Sequence, residues 1–315
     1  MSAVATIKDF SGNTYVFDKC VGFSFFTQRY SPSSEFYGKF YASEIVTDIA
    51  SVTIEINGVI VQRGFICSAT YERNSNGLFF VLRSRPFSAL LEQNHVKPAM
   101  YTSMTMSKIH SNLVEFSGVS VEASSTAINY IVVKDNATVW DCYVQLCLKL
   151  WGVLPYVTAQ NQVRFSLHTP YVEVVLPSSK VVSTAKGVNV EDAISNVHMR
   201  DTNGEYDVYC ASSSAISNYG ITKRRHIGWD QAWLASIQTG LQHRLNYSAR
   251  GIKASSVTYL GYNGEQVYDR VKVSVAIGGF ELNNTKISSV KIIGNSSGIR
   301  TTLCCYDDYY MGVTK

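Results

Sequence analysis

Charge is scarce in this chain of 315 residues: Asp, Glu, Lys and Arg make up 17% of it, against about 25% in an average soluble domain. With 20 tyrosines and 14 phenylalanines beside them, a lone subunit would expose large apolar patches, so other subunits are expected to cover part of the surface. No stretch approaches the roughly 18 consecutive apolar residues of a membrane span. The opening MSAVATIKDF has no apolar signal core, so the expectation is a protein made soluble in a cytosol. Seven cysteines are an odd number for a disulfide framework. Cys142 and Cys147 lie five apart on an expected helix, and Cys304-Cys305 are neighbours pointing to opposite faces of an expected strand. Neither pattern has zinc spacing, and buried free thiols are the reading. No phosphate loop or dinucleotide fingerprint occurs, and neither cofactor nor metal is expected. The net charge of +4 is scattered apart from Lys223-Arg224-Arg225, which reads as a solvated loop rather than a nucleic-acid reader.

What the sequence does have is hairpin punctuation. Asn-Gly pairs begin at Asn57, Asn76, Asn203 and Asn263, each between runs rich in β-branched or aromatic residues. Asn-Gly accepts the two positive φ angles of a type I′ turn, so the expectation is antiparallel β structure with a hairpin at each pair.

Helices are few. Pro86 opens a short one carrying FSALLEQN. A second starts after Asn136, places Val139, Tyr143, Leu146 and Leu150 on one face, and ends at Gly152. The third runs from about 230 to 250, with Leu234, Ile237, Leu241 and Leu245 three or four apart as its candidate core face. Gly251 is expected to end it in the left-handed C′ position. Arg244 and Arg250, on its other faces, are candidate contacts between subunits. The stretch YSARGIKASSVTYLGYNG then passes from helical period to alternation, and the chain resumes as VYDRVKVSVAI. There Val267, Val271, Val273, Val275 and Ile277 share one parity, as in a half-buried strand. The whole stretch reads as a helix stop followed by a hairpin arm.

Catalytic constellations are hard to find. His198 pairs in principle with Asp201 or Asp207 as a base and its orienter, but strand alternation sets His198 and Asp201 on opposite faces. Asp307-Asp308 and Glu191-Asp192 are adjacent carboxylates, which do not flank a substrate at the roughly 5 to 9.5 Å that glycoside hydrolysis needs. His226 beside Arg225 reads as a solvated turn. Asn136, Asn246, Asn283 and Asn295 begin N-x-S/T triplets, which occur by chance in a chain that is not exported. The expectation is a protein that is not an enzyme, without catalytic, cofactor-binding or metal residues.

Three stretches together resemble the late control protein D family, the Mu-type baseplate hub proteins of contractile phage tails. The first is VTIEINGVIVQRGFICSATYERNSNGLFFVLRSRPFSALLEQN, with Gly58, Gly64, Arg83 and Arg85 at the matching places. The second is NATVWDCYVQLCLKLWGVLPYV, similar to a mid-chain helix that ends in Gly before a strand. The third is RRHIGWDQAWLASIQTGLQHRLNYSARGIKASSVTYLGYNGEQVYDRVKVSV with TKISSVKIIGNSSGIRTTLCCYDD, similar to a helix, a strand, a turn, a strand and a last hairpin. They cover about half of the chain.

The resemblance implies a mainly β (β+α) fold: tandem antiparallel β barrels like those of a tail tube, a few helices and a mixed α/β middle. The expected units are residues 1–102, 103–171 and 172–315, first barrel, middle and second barrel, the last leaving room for an inserted subdomain. The implied function is structural. A homotrimer would form a pseudo-six-fold ring joining the central spike protein to the hexameric tail tube protein, at the baseplate of a virion tail assembled in a bacterial cytoplasm. Other baseplate proteins and a tape-measure protein are candidate contacts, and DNA would pass through the lumen as cargo. Two other readings stand beside it: a β-rich carbohydrate-binding or receptor-binding tail protein, and a hydrolase.

Overall fold

The Asn57-Gly58 turn, with φ angles of 52° and 77°, leads into the longest strand, Val59–Asn74. The computed structural model describes residues 3–166, 173–200, 203–211, 218–228, 237–273, 282 and 285–306. Seven strands come first: β1 (Ala3–Asp9), β2 (Thr14–Phe17), β3 (Cys20–Gln28), β4 (Ser34–Tyr41), β5 (Ile49–Ile56), β6 (Val59–Asn74) and β7 (Gly77–Pro86). In β1, β4, β5 and β7 buried residues recur at every second position, the period of a sheet with one face covered.

The middle of the chain carries the helices: α1 (Leu90–Gln93), α2 (Met106–Leu113) and α3 (Val139–Trp151). Around them lie β8 (Ala99–Met104), β9 (Ser120–Val121), β10 (Ile128–Val133), β11 (Tyr156–Val157) and β12 (Gln162–Arg164). Thr138 and Asp141 form a reciprocal capping box at the start of α3, and Gly152 ends it at φ 65°, where the lack of a Cβ removes the left-handed penalty. Val139, Tyr143 and Leu146 are at most 1% exposed in a core shared with Met106, Ile109 and Ile131. Gln145 is buried there too: its amide donates to Val132 O at 2.9 Å and accepts from Val132 N at 2.7 Å, which satisfies backbone groups of β10.

The remaining elements are β13 (Glu173–Leu176), β14 (Val181–Gly187), β15 (Asn196–Met199), β16 (Val208–Ala211), β17 (Arg224–Ile227), α4 (Ile237–Ala249), β18 (Ala254–Leu260), β19 (Arg270–Val273), β20 (Thr285–Asn295) and β21 (Gly298–Tyr306). β15 to β17 make a small sheet that packs on α4. The others join the first seven strands in one thirteen-stranded sheet, ordered β14-β18-β21-β20-β3-β4-β7-β6-β5-β1-β2, with β19 also on β20 and β13 on β19. The join is β20 against β3, from Ser289 opposite Gln28 to Gly294 opposite Phe23. One core follows: Phe36, Phe40 and Phe80 from the first unit and Val257, Ile292 and Leu303 from the last are all fully buried in it. Each such side chain stabilises the fold by about 1.5–3 kcal/mol relative to exposure. The fold is mainly β with antiparallel sheets and a few helices.

Several local expectations change. The Asn263-Gly264 pair makes no hairpin, because β18 pairs with β14 and β21 while β19 pairs with β13 and β20. The hairpin near the end is β20–β21, with Asn295 opposite Gly298 and no Asn-Gly at its tip. The β6–β7 turn at Ser75-Asn76 has its positive φ at Gly77 rather than at Asn76. Gly251 is not left-handed; α4 instead unwinds through tight bonds from Arg250 N to Tyr247 O and from Ile252 N to Ala249 O. Helix α2, capped by Thr105, was not expected. The start of the expected third helix, including Leu234, lies outside the described residues, as do Val275 and Ile277.

Candidate functional site

Among the described residues, aromatic rings surround His198, the base candidate of the hydrolase reading. The imidazole stacks on His226 at 4.8 Å and on Tyr209 at 5.3 Å, and its Nδ1 lies 3.3 Å from Tyr206 O. Asp201, Asp307 and Asp308 lie outside the described residues, within which no group of three or more His, Cys, Asp or Glu gathers as metal ligands. All seven cysteines are free thiols. Burial pushes Cys142 and Cys305 up to about 12, so both stay protonated and unreactive at neutral pH.

Two surfaces stand out among the described residues. The first is the outer face of the large sheet. Leu260, Arg300, Ile293, Ser24, Tyr37 and Arg83 form one continuous cross-strand row, from β18 through β21, β20, β3 and β4 to β7. Leu260, Ile293 and Tyr37 are exposed there, with Phe26 in the next row. Arg83, one of the resemblance positions, pairs with Glu35 at 2.5 Å. The row crosses the junction between the first and last β units, so the apolar patch belongs to both.

The second is a cleft of about 650 Å³ between the helical middle and the α4 unit. Helix α3 contributes Trp140, Val144 and Leu148, spaced four apart, and the α4 side contributes His243, Arg244 and Tyr247. Val197 and Ile227 of the small sheet add apolar lining. Arg225 and Arg244 are its cations, Glu92 and Asp141 its acids. Burial first, then the charges of Arg244 and Arg29, lower the pKa of His243 to about 4, so the imidazole is neutral at pH 7. Burial also raises the Glu92 carboxyl above its usual value, against a hydrogen bond from Ser31 that lowers it.

Leu241 and Leu245 are at most 1% exposed, packed with Val197, Met199 and Cys210. Ile237 begins the described part of α4. Arg244 is exposed at the cleft. Arg250 is engaged within its own chain: its Nη1 donates to Tyr247 O at 2.7 Å and its guanidinium lies 3.9 Å from the Tyr247 ring centroid. The cleft was not foreseen. Its signal was the breadth of the apolar surface of α3: Trp140, Val144 and Leu148 edge the cleft while Trp140 and Val144 also belong to the core of the helical middle, and a helix apolar on more than one side has more than one face to cover.

This architecture is shared with solved proteins across nearly its whole length. A tail protein from Neisseria meningitidis superposes with a TM-score of 0.76 over 99% of this chain and 98% of its own, at 13% identity. The 43 kDa tail protein of prophage MuSo2 from Shewanella oneidensis gives 0.75 over 98% and 99%, at 14% identity. The chain has the fold of phage tail proteins. An Escherichia coli component of the type VI secretion system, described as structurally similar to the T4 bacteriophage tail proteins gp27 and gp5, matches with a TM-score of 0.61 over 93% of this chain and 75% of its own, at 11% identity. No protein-family model and no curated sequence matches.

Proposed function

We propose that this chain is the structural hub of a contractile phage tail baseplate or of a phage-derived injection particle, and not an enzyme. Three copies form a pseudo-six-fold ring that joins the central spike to the hexameric tail tube, in contact with other baseplate proteins and with DNA passing through as cargo. The observation that carries this reading is the extent of the tail-protein match: a TM-score of 0.76 over 99% of the chain takes in both β units and the helical middle together. The shared sheet supports it, since β20 against β3 fuses the two β units into one wall. Each subunit then offers two wall segments, and three subunits offer six. The charge-poor, aromatic-rich composition fits a surface largely covered by neighbours.

Light scattering at micromolar concentration should give a mass near three chains, and negative-stain images should show rings with an open centre. A protein that stays monomeric both alone and with its spike partner would sink the reading.

A further inference from the structure

The cleft beside α3 is lined from two separately cored bodies, the helical middle and the α4 unit with its small sheet. Helices that pack directly approach to about 8–10 Å and fill each other's grooves. Here about 650 Å³ stays open, roughly the space of two to three turns of a half-embedded helix of ~10–12 Å diameter. The half-buried Leu148 and Ile227 face the space over a floor of Trp140, Val144 and Val197, each at most 8% exposed, an apolar lining of the kind that takes the buried face of an amphipathic helix. Charges of both signs line the same space, yet among the described residues no ion pair joins Arg225 or Arg244 to Glu92 or Asp141. Asp141 is committed to the Thr138 cap, while Arg244 has no hydrogen-bond or ion-pair partner among the described residues.

We propose that this cleft docks an amphipathic helical segment of another tail protein. Its buried face is apolar, one flank is acidic where it meets Arg225 and Arg244, and the other is basic where it meets Glu92. A second copy of this chain fits poorly as the occupant, because the described helices have no such face to spare. α3 and α4 are themselves cleft walls, α1 has four residues, and the apolar side of α2, Met106 and Ile109, is buried in its own core. The inference rests on the reading of the chain as a tail hub, since that reading supplies other tail proteins as neighbours.

The test places the photo-crosslinker p-benzoylphenylalanine at Leu148, and in a second variant at the exposed Arg225, in the full chain assembled into purified tail particles. Irradiation should join both positions to one segment of a different tail protein, with apolar residues at helical spacing and an acidic flank. The double change Arg225→Glu with Arg244→Glu should lower the Leu148 crosslink at least tenfold while the chain stays in the particle. Crosslinking to another copy of this chain overturns the proposal. So does a particle-bound chain that gives no crosslink and in which a Leu148→Cys thiol reacts with a maleimide as fast as in the isolated protein. A chain absent from purified tails sinks the hub reading itself, whereas a chain present with an open cleft sinks the docking alone.

Discussion

The guanidinium of Arg29 lies 4.0 Å from the ring centroid of Tyr268, and both residues are 2% exposed. Tyr156 packs on the same ring at 4.0 Å between centroids. Arg29 follows β3, Tyr156 belongs to the helical middle and Tyr268 precedes β19, so three parts of the chain meet on one side chain. Tyr268 holds φ at +79°, a backbone conformation that costs of order 1–3 kcal/mol and persists when its surroundings over-determine it. Tyr268→Ala should cost about 3–5 kcal/mol, whereas Tyr268→Phe, which keeps the ring, should stay within about 1.5 kcal/mol. Denaturant midpoints of the two variants check this; equal losses would mean that the stack does not hold the junction.

The turn after β18 is built around a buried carboxylate. Glu265, 2% exposed, accepts from the Tyr259 hydroxyl, from Asn263 N at 3.1 Å and from Asn263 Nδ2 at 3.0 Å. Glu265→Ala leaves these donors without their partner, and a buried unsatisfied group costs about 1–3 kcal/mol. A loss of about 3–5 kcal/mol is expected in thermal or urea unfolding, and a change below about 1 kcal/mol would show that water replaces the carboxylate.

How much was legible follows from such places. Gly58 was readable because an Asn-Gly turn is a local device. Gly64 was visible as a resemblance position, but its reason lies across the sheet: a Cβ there would sit 1.8 Å from Arg85 O and 2.6 Å from Pro86 Cα. Asn263-Gly264 misled because Glu265, two residues on, claims the asparagine for a cluster rather than a hairpin. The β20–β3 pairing joins segments about 260 residues apart, and no local pattern encodes that. The cleft needed two helices from distant parts of the chain: the broad apolar surface of α3 and the outward Arg244 of α4 were readable singly, but no local pattern says that they face one space.

Gly64→Ala should therefore be among the most damaging single-methyl changes in the chain. The contact is with backbone, which cannot swing aside as a side chain can, so β6 must part from β7 next to Pro86. Loss of soluble protein, or a drop of at least about 3 kcal/mol, is expected from such overpacking. A variant that folds with wild-type stability would mean that the strands separate freely.

Acid and base should each destabilise the fold through identifiable groups. His243 has its pKa lowered from 6.5 to about 4, so between those values the unfolded chain binds a proton that the folded one does not. Stability is thus lost as pH falls from 6.5 to 4, by at most about 1.4 kcal/mol per pH unit, and His243→Gln should flatten that limb. Burial raises Tyr30 from 10 to about 12 and holds Tyr143, Tyr259 and Tyr262 above the ordinary phenol value. Those phenols stabilise fully below pH 10, and their contribution is lost as pH rises above 10, through about 12 for Tyr30. Melting temperatures from pH 4 to 11 test both limbs; a flat profile would contradict the assignments.

Helix α4 carries the sharpest contrast between folding and assembly. Leu241 is fully buried against Val197, Met199 and Cys210, so Leu241→Ala should cost about 2–5 kcal/mol and lower the melting temperature. Arg250 is held by the Tyr247 carbonyl and ring, so Arg250→Glu should cost the folded chain about 1 kcal/mol before any effect on assembly is counted. Arg244 is exposed and without a hydrogen-bond or ion-pair partner among the described residues, so Arg244→Glu should leave stability within about 0.5 kcal/mol. If Arg244 meets another subunit instead of the docked segment, its reversal shows as a lower fraction of assembled particles formed from normally folded chain. Circular dichroism melts and sedimentation of the three variants separate these outcomes. An Arg244→Glu chain that melts, trimerises and enters tails like the wild type would remove α4 from the interface between subunits and leave it an internal strut behind the small sheet.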